Sequence, residues 1–249
     1  MAIIAISNEK GGVGKTTTVL NLSYQCSLKY RTLVIDADRQ ANLSECFDLD
    51  RSDKNIRDAF LGNEFEVRNV GKNLDVLPSN PDIIGFEQEF QAKIGREYLL
   101  AEAIEKIEKD YDYIFIDCPP SMGLVTVNAF TAADYVLIPV DCGKFSLKGI
   151  RLMIGNITSI RKKVNPNVSL LGLLVTKYSE RQLASQKTMQ AIEDNDWTEA
   201  TLKTKIRFNT TLVDSQFAGK NIFEHDSRSF GAQDYKALSK EILNKITNT

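Results

Sequence analysis

The sequence predicts an α/β fold, a doubly wound and mostly parallel sheet with helices on both faces. Three observations support this prediction. Short apolar runs recur along the chain, segments with helical spacing separate most of them, and the first run leads through a glycine-rich loop into a helix. The chain has 249 residues, of which 43% are hydrophobic and 26% are charged. That length suits one large core, and we expect residues 1–249 to form a single domain.

The first forty residues set the architecture. The apolar run "AIIAIS" at residues 2–7 is typical of a strand buried on both faces, and a helical pattern follows from about Lys15 to Tyr30. The stretch "RTLVIDAD" at residues 31–38 predicts the second strand. Strand, glycine loop, helix and strand in this order form a βαβ unit, for which we expect a right-handed crossover.

Four further apolar runs predict strands at residues 74–78, 113–117, 135–140 and 169–175. Helical spacing is present in "YLLAEAIEKIEKD" and "LKGIRLMIGNITSIRKKV", and "GAQDYKALSKEILNKI" predicts a closing amphipathic helix. Residues 43–96 are less regular, and we expect short helices around one strand there. The pattern is weaker from Thr198 to the closing helix.

Composition limits the classes of partner. The formal net charge is −2, so no global positive field attracts nucleic acid or a membrane, and any such binding requires a local patch. The four cysteines are far apart, without a C-x-x-C pair, and the chain does not start with a secretory signal. A reducing cytoplasm is therefore expected. No run approaches the ~18 apolar residues of a membrane span.

The stretch "EKGGVGKTTT" at residues 9–18 almost matches the phosphate-binding pattern G-x-x-x-x-G-K-[ST], but Glu9 stands where the first glycine belongs. Backbone N–H groups from Gly11 to Thr16 are predicted to wrap a polyphosphate at the positive end of the following helix. Lys15 is then placed against the β- and γ-phosphates and the Thr16 hydroxyl on Mg²⁺. The alternative is a glycine-rich turn with a solvated lysine, which this strand-to-helix position disfavours.

Acidic residues follow two of the predicted strands. Asp117 ends "YIFID", and Asp36 and Asp38 end "LVIDAD". Carboxylates at the carboxyl ends of neighbouring parallel strands converge where ligands bind in such sheets. An isolated aspartate is equally often a helix cap or turn residue. Three of them beside a phosphate loop predict a Mg²⁺ site.

Four segments together resemble the ParA family of DNA-partition ATPases, within the deviant Walker A class that also holds MinD and the nitrogenase iron protein. These are "KGGVGKTT", "DADRQANLS", "DCPPSMGLVTVNAFTAADYVLIPV" and the tail "FEHDSRSFGAQDYKALSKEI". The resemblance runs from Met1 to about Ile246 and is weakest between Asp48 and Ile107. No helix-turn-helix domain like that of the larger plasmid members precedes Met1, so the short form is expected.

The resemblance implies roles for individual residues. Lys10 becomes the signature lysine, which reaches across a nucleotide-sandwich homodimer to the phosphates bound by the other subunit. Lys15 acts in its own subunit, and Asp38 orients the attacking water. Thr16, Asp36 and Asp117 are implied to hold or support the metal. The implied nucleotide contacts are Lys10, Gly11, Gly12, Val13, Gly14, Lys15, Thr16 and Thr17.

The implied cofactors are ATP and Mg²⁺. ATP is favoured over GTP because "TKYS" at residues 176–179 lacks the Asn and the Asp of a guanine-binding N-K-x-D run. The resemblance also implies a first switch loop that includes Asn42 and a second at residues 119–121.

The family binds DNA without sequence specificity when loaded with ATP, and an adaptor of the ParB type stimulates hydrolysis. This resemblance implies a cytoplasmic, nucleoid-associated protein without a membrane partner. It favours a basic set at the end of the chain: Lys203, Lys205, Arg207, Lys220 and Arg228. A second candidate set lies between Cys142 and Ser179, where no acid occurs: Lys144, Lys148, Arg151, Arg161, Lys162, Lys163 and Lys177. Ordinary solvated helix faces remain the alternative for both sets.

One segment departs from the family pattern. Many ParA sequences carry a stretch like "CEYFALEG", whereas residues 142–149 here read "CGKFSLKG", with Gly143 and Lys148 in place of two acids. We expect the change to alter the choice of partner or to extend the DNA-binding surface.

Other functions stay open within this class. Related family members use the same ATPase cycle to position protein cargo. A MinD-like membrane ATPase would use the apolar stripe Leu238, Ile242, Leu243 and Ile246, although such stripes more often pack against a core. An electron-transfer protein would use Cys118 and Cys142, and a small-molecule ligase would need a substrate motif that we do not find.

Overall fold

Seven strands form one sheet in the computed structural model, which describes residues 1–81, 86–143 and 146–248, without the side chains of residues 86 and 87. The strands are β1 (Ala2–Ile6), β2 (Thr32–Asp36), β3 (Arg68–Gly71), β4 (Leu74–Leu77), β5 (Tyr113–Asp117), β6 (Tyr135–Asp141) and β7 (Ser169–Thr176). Their order in the sheet is β3-β4-β2-β5-β1-β6-β7. All neighbours pair in parallel except β3 and β4, so the predicted, mostly parallel sheet is confirmed.

The expectation of a single strand within residues 43–96 is wrong, because β3 and β4 both lie there. The two strands form an antiparallel hairpin at the sheet edge. Every residue of β4 is buried, whereas β3 is half-buried or exposed throughout. An edge strand of this kind does not need a continuous apolar run, which is why its sequence shows none.

Helices cover both faces of the sheet, as predicted. Their bounds are α1 (Lys15–Ser27), α2 (Asn42–Glu45), α3 (Ile56–Leu61), α4 (Phe86–Phe90), α5 (Leu99–Glu105), α6 (Leu124–Ala132), α7 (Ser146–Lys163), α8 (Leu183–Asp194), α9 (Thr210–Phe217), α10 (Ile222–Asp226) and α11 (Phe230–Thr247), with a 3₁₀ turn at Glu108–Asp110. Strand β1 shows why both layers form. Ile3 and Ala5 face a core that includes α5, α6 and α7, whereas Ile4 and Ile6 face a core that includes α1 and α11.

The closing helix α11 lies beside the helix of the phosphate loop. Leu238 and Ile242 are buried in the core shared with α1, as expected for a stripe that packs internally. The hydroxyls of Thr18 and Tyr235 lie 3.2 Å apart and form a buried hydrogen bond between the two helices. Within the described residues, no helix is long and apolar enough to cross a bilayer.

Residues 200–208 run along the outer edge of β7. The Leu173 amide donates to the carbonyl of Ala200, and the Ile206 amide donates to the carbonyl of Val175. Leu202 and Ile206 point into the core with 3% exposure each. Lys203 and Lys205, at the alternate positions between them, therefore point outward, because side chains of extended backbone alternate in direction.

Candidate active site

The loop between β1 and α1 has the backbone geometry of a phosphate cradle. Gly12 and Gly14 have φ angles of 71° and 93°, in the left-handed region that glycine adopts without strain. No atom lies within 4 Å of where a Cβ would stand on Gly11 or Gly12, so the loop borders open space. Thr176, the last residue of β7, donates a 2.9 Å hydrogen bond to the Val13 carbonyl and holds the loop in place.

Lys15 is the buried cation of this loop. The residue is 7% exposed, and its Nζ donates a long hydrogen bond of 3.4 Å to the Lys10 carbonyl. A buried ammonium with such a weak partner is favourable when an anion neutralises it. The position of Lys15 therefore fits the predicted contact with the β- and γ-phosphates.

The two threonines that follow Lys15 also have defined contacts. Thr16 Oγ1 donates to Asp117 Oδ2 at 2.7 Å. Thr17 Oγ1 accepts a hydrogen bond from the side-chain amide of Gln216 on α9. The loop helix is thus connected to the acidic strand ends on one side and to the C-terminal helices on the other.

Asp117 is suited to a cation. It is opposite Asp36 in the β2–β5 register, and its Oδ1 is buried without a hydrogen-bond partner within the described chain. Burial raises the pKa of Asp117 well above its usual value, and the nearby Asp36 carboxylate raises it further. An unpaired buried carboxylate oxygen beside the Thr16 hydroxyl offers two oxygen ligands. Mg²⁺ commonly takes one or two carboxylates and completes its shell with water and phosphate oxygens.

The described residues contain no group of three or more His, Cys, Asp or Glu side chains that forms a metal cage.

Asp36 is engaged by the chain itself. Its Oδ2 accepts hydrogen bonds from the Ser44 amide at 2.8 Å and the Ser44 hydroxyl at 2.7 Å, and its Oδ1 accepts from the Asp38 amide at 3.1 Å. Burial raises the pKa of Asp36 to about 7, although the Ser44 bonds act in the opposite direction. The carboxylate therefore holds α2 and the Asp38 backbone in place. Its predicted support of the metal stays a prediction.

Asp38 lies in a tight turn between β2 and α2. Its Oδ1 accepts from the Gln40 amide at 3.0 Å, and Ala41 adopts a left-handed conformation with a φ of 52°. The turn places the Asp38 carboxylate beside the Asp36–Asp117 pair. Its predicted role in orienting water stays a prediction that this position supports.

Lys10 makes an ion pair that the sequence interpretation missed. Its Nζ lies 2.8 Å and 2.6 Å from the two carboxylate oxygens of Asp141, the last residue of β6. Asp141 follows the apolar run "YVLIPV", so the rule that singled out Asp36 and Asp117 applies to it equally. Ser44 was missed as well, although it lies two residues after Asn42, in the segment predicted as the first switch loop.

The basic residues predicted near the end of the chain lie in two kinds of environment: two contact aromatic rings, and three are exposed. Arg207 is bound to Asp234 through its amide, Nε and Nη2, and its guanidinium carbon lies 4.3 Å from the Phe230 ring centroid. Lys205 Nζ lies 4.6 Å from the Tyr178 ring centroid. The exposed members are Lys203, Lys220 and Arg228. Arg228 lines a shallow cavity together with Phe230, so it lies near Arg207.

The second basic set lies mainly on α7. Its exposed members on this helix are Lys148, Arg151, Arg161, Lys162 and Lys163. Arg151 Nη2 donates a 2.5 Å hydrogen bond to Asn195 Oδ1. Lys144 lies outside the described residues.

The position of Cys118 does not favour a cluster shared between subunits. Cys118 is completely buried, and burial raises its thiol pKa. A thiol inside the core does not reach a subunit surface, and Cys118 acts as a small apolar side chain.

Comparisons with known proteins cover nearly the whole chain. A family model described as an AAA domain matches residues 1–170. The sporulation initiation inhibitor protein Soj of Bacillus subtilis is 36% identical over 250 residues, covering 96% of this chain and 97% of Soj. The chromosome partitioning protein ParA of Myxococcus xanthus is 34% identical, covering 98% of this chain and 89% of that protein.

The fold comparison agrees with the sequence comparison. The crystal structure of cobyrinic acid a,c-diamide synthase from Mycobacterium smegmatis, with bound ATP analog and magnesium, is 28% identical and superposes with a TM-score of 0.84. The match covers 99% of this chain and 96% of that structure. Matches of this length and identity make the chain a member of the ParA family of P-loop ATPases, an enzyme that hydrolyses ATP with Mg²⁺ as its cofactor.

Proposed function

We propose that this ATPase forms a homodimer around ATP, binds DNA without sequence specificity in that state, and positions or segregates plasmid or chromosomal DNA. An adaptor of the ParB type stimulates hydrolysis and releases the dimer. The observation that carries the proposal is the contrast between the two loop lysines. Lys15 is buried within its own site, whereas 40% of the Lys10 side chain is exposed at the mouth of the loop.

The residues of one subunit account for nucleotide binding. Backbone amides of residues 11–17 and the Lys15 ammonium would hold the phosphates, and Thr16 Oγ1 with Asp117 Oδ1 would hold Mg²⁺. When bound, the metal neutralises charge on the phosphates, which is the main requirement of phosphoryl transfer. Asp38 accepts a hydrogen bond from the attacking water and aligns it.

The partner subunit supplies the remaining charge through Lys10. A cation aimed at the developing charge of the transferred phosphoryl group accelerates hydrolysis strongly, as an arginine finger does. If that cation comes from the other subunit, hydrolysis depends on dimerisation. Lys10 suits this role because its side chain is partly exposed and its amine already binds an anionic oxygen pair.

The outer surface of residues 200–208 supports the DNA-binding part of the proposal. Lys203, Lys205 and Arg207 alternate with the buried Leu202 and Ile206, so the three cations lie on one side of the segment. Such a row contacts backbone phosphates without reading bases. We place the ATP-bound dimer on the nucleoid in the cytoplasm, where DNA phosphates are abundant.

The relatives support the partition role. Two of the full-length matches are named for sporulation inhibition and chromosome partitioning. The structural neighbour named as a synthase makes a small-molecule synthetase the competing function. Stimulation of ATP turnover by DNA together with an adaptor supports partition, whereas turnover that depends on a small acid and an amide donor supports the synthetase.

Variants of the two lysines test the proposal. Lys15→Ala is expected to lose ATP binding, because it removes the buried cation of the site. Lys10→Ala is expected to bind ATP normally but to fail in ATP-driven dimerisation and hydrolysis. Fluorescent-nucleotide titration, sedimentation velocity and phosphate release measure these three properties. Normal dimerisation and turnover in Lys10→Ala would overturn the proposed dimer mechanism.

A further inference from the structure

We propose that Asp141 is a positioning residue that holds Lys10 within its own subunit and thereby raises the dissociation constant of the ATP-bound dimer. The Asp141 carboxylate and the phosphates bound by a partner subunit compete for the same ammonium. This inference rests on the proposed action of Lys10 across the dimer. It adds a carboxylate of the same subunit that competes with the partner's phosphates for Lys10.

Lys10 and Asp141 form an ion pair in which both carboxylate oxygens contact the ammonium. Lys10 Nζ donates to Asp141 Oδ1 at 2.8 Å and to Oδ2 at 2.6 Å. Hydrogen bonds between two charged groups are shorter and stronger than neutral ones. The Lys10 side chain is 40% exposed and the Asp141 side chain 17% exposed, so the carboxylate is the more enclosed member of the pair.

Asp141 is oriented by its surroundings. It ends β6, where it pairs in register with Thr176 of β7. Ser146, the first residue of α7, donates its hydroxyl to the Asp141 carbonyl at 2.6 Å and lies 3.3 Å from Oδ1. The carboxylate is therefore presented to Lys10 before any nucleotide or partner arrives.

The backbone around Lys10 is also held against β6 and α7. Asn8 Oδ1 accepts from the Lys10 amide at 3.0 Å, while Asn8 Nδ2 donates to the Pro139 carbonyl at 2.7 Å. Asn156 Nδ2 on α7 donates to the Glu9 carboxylate at 3.2 Å. With the backbone anchored, release of Lys10 requires rotation of its side chain alone.

Gly143 provides the space for this arrangement. A Cβ at position 143 would stand 3.7 Å from Lys10 Nζ and 3.9 Å from Ser146 Oγ. A larger side chain would extend into the region of the ammonium. The glycine thus leaves room for Lys10 to rest on Asp141.

Each dimer releases two such ion pairs, so their effects on the dimer dissociation constant multiply. A partly exposed pair of this kind changes an equilibrium by about two- to fivefold. We therefore expect Asp141→Asn, in the full chain, to tighten dimerisation on the order of tenfold. Sedimentation velocity in Mg²⁺ and a non-hydrolysable ATP analogue measures the dissociation constant directly.

A double-mutant cycle separates the ion pair from a general charge effect. In the Lys10→Ala background, which is expected not to dimerise, Asp141→Asn should not restore dimerisation, because no ammonium remains to be released. The matched control is Glu180→Gln, which removes one exposed negative charge shortly after β7 and should not shift the dimer equilibrium. Restored dimerisation in the double variant Lys10→Ala with Asp141→Asn, or a shift in Glu180→Gln equal to that of Asp141→Asn, would overturn the inference.

A second variant covers the case in which Asp141→Asn folds poorly. Ser146→Ala keeps both charges but removes the hydroxyl that orients the carboxylate, so dimerisation should tighten in the same direction by a smaller factor. Unchanged dimerisation in folded Asp141→Asn, together with defective dimerisation in Lys10→Ala, rejects this inference alone. Normal dimerisation in Lys10→Ala rejects the proposed function as well.

Discussion

Thr16 Oγ1 donates a 2.7 Å hydrogen bond to one oxygen of Asp117, and the other oxygen of that carboxylate is buried without a partner in the described part of the chain. An unpaired buried carboxylate oxygen destabilises a fold, since it has lost its hydration without compensation. The apo protein thus retains an unfavourable group at the place where the nucleotide-bound metal is expected.

Asp117→Asn should stabilise the apo protein while abolishing its activity. The amide removes a buried charge, and we expect a gain of about 1–2 kcal/mol, or roughly 2–8 °C in the melting temperature. Hydrolysis should fall by about 100-fold or more, because the metal loses its carboxylate. Calorimetry and phosphate release measure the two effects.

Asp75→Asn is the matched control, since Asp75 is a buried carboxylate whose oxygens accept from Arg31, Tyr111 and Asn69. Here we expect a loss of about 1–3 kcal/mol and unchanged turnover per folded molecule. A destabilised Asp117→Asn protein would contradict the interpretation of its unpaired oxygen.

The stability of the apo protein should depend on pH through Asp36. Burial raises the pKa of Asp36 to about 7, from about 4 in the unfolded chain. Because the folded pKa is the higher one, the contribution of this group is fully present below pH 4 and is lost as the pH rises through 7. Between these limits the free energy of unfolding should fall by up to about 1.4 kcal/mol per pH unit.

Urea denaturation of wild type and Asp36→Asn at several pH values between 4 and 8 checks this effect. The difference between the two profiles isolates Asp36 from carboxylates such as Glu66 and Glu241, whose pKa values are lowered and which act in the opposite direction. Parallel profiles would show that Asp36 titrates normally in the folded protein.

Asp38→Ala should separate ATP binding from ATP turnover. The Asp38 carboxylate lies in the turn before α2 and accepts a hydrogen bond from the Gln40 amide, outside the phosphate loop. ATP binding, dimerisation and DNA binding should therefore persist, while phosphate release falls by about 100-fold or more because water is no longer aligned. Normal turnover would remove Asp38 from the mechanism.

Arg207 and Arg228 should respond differently to substitution. Arg207 is held by Asp234 and stacks on Phe230, so Arg207→Ala should lower the free energy of unfolding by about 1–3 kcal/mol. Arg228 is exposed, and Arg228→Ala should leave the melting temperature within about 2 °C of wild type.

Both substitutions should weaken binding to DNA of any sequence, each reducing the dependence of log affinity on log salt by about 1. A salt titration with two unrelated duplexes measures this. The exposed Lys148 on α7 tests the other basic set. If Lys148→Ala weakens DNA binding and the two arginine substitutions do not, the interface lies on α7 and the C-terminal assignment is wrong.

Much of the fold follows from local patterns. Continuous apolar runs identify strands that are buried on both faces, and a Gly-rich turn between the first strand and helix identifies a phosphate loop. The edge strand β3 was missed because a half-buried strand does not carry such a run. Helices α9 and α10 lie in the region of weak pattern, and each has only one or two buried residues.

The sequence by itself determined six of the seven strands of the described sheet, the phosphate loop and the acidic strand ends, because each depends on neighbouring residues and on the shared direction of parallel strands. Only the tertiary structure decided which charges meet. Lys10 and Asp141 are 131 positions apart, and Arg207 and Asp234 are 27 apart. Their pairing depends on side-chain directions and on distances of a few ångströms between packed elements, which a linear pattern of residue types does not contain.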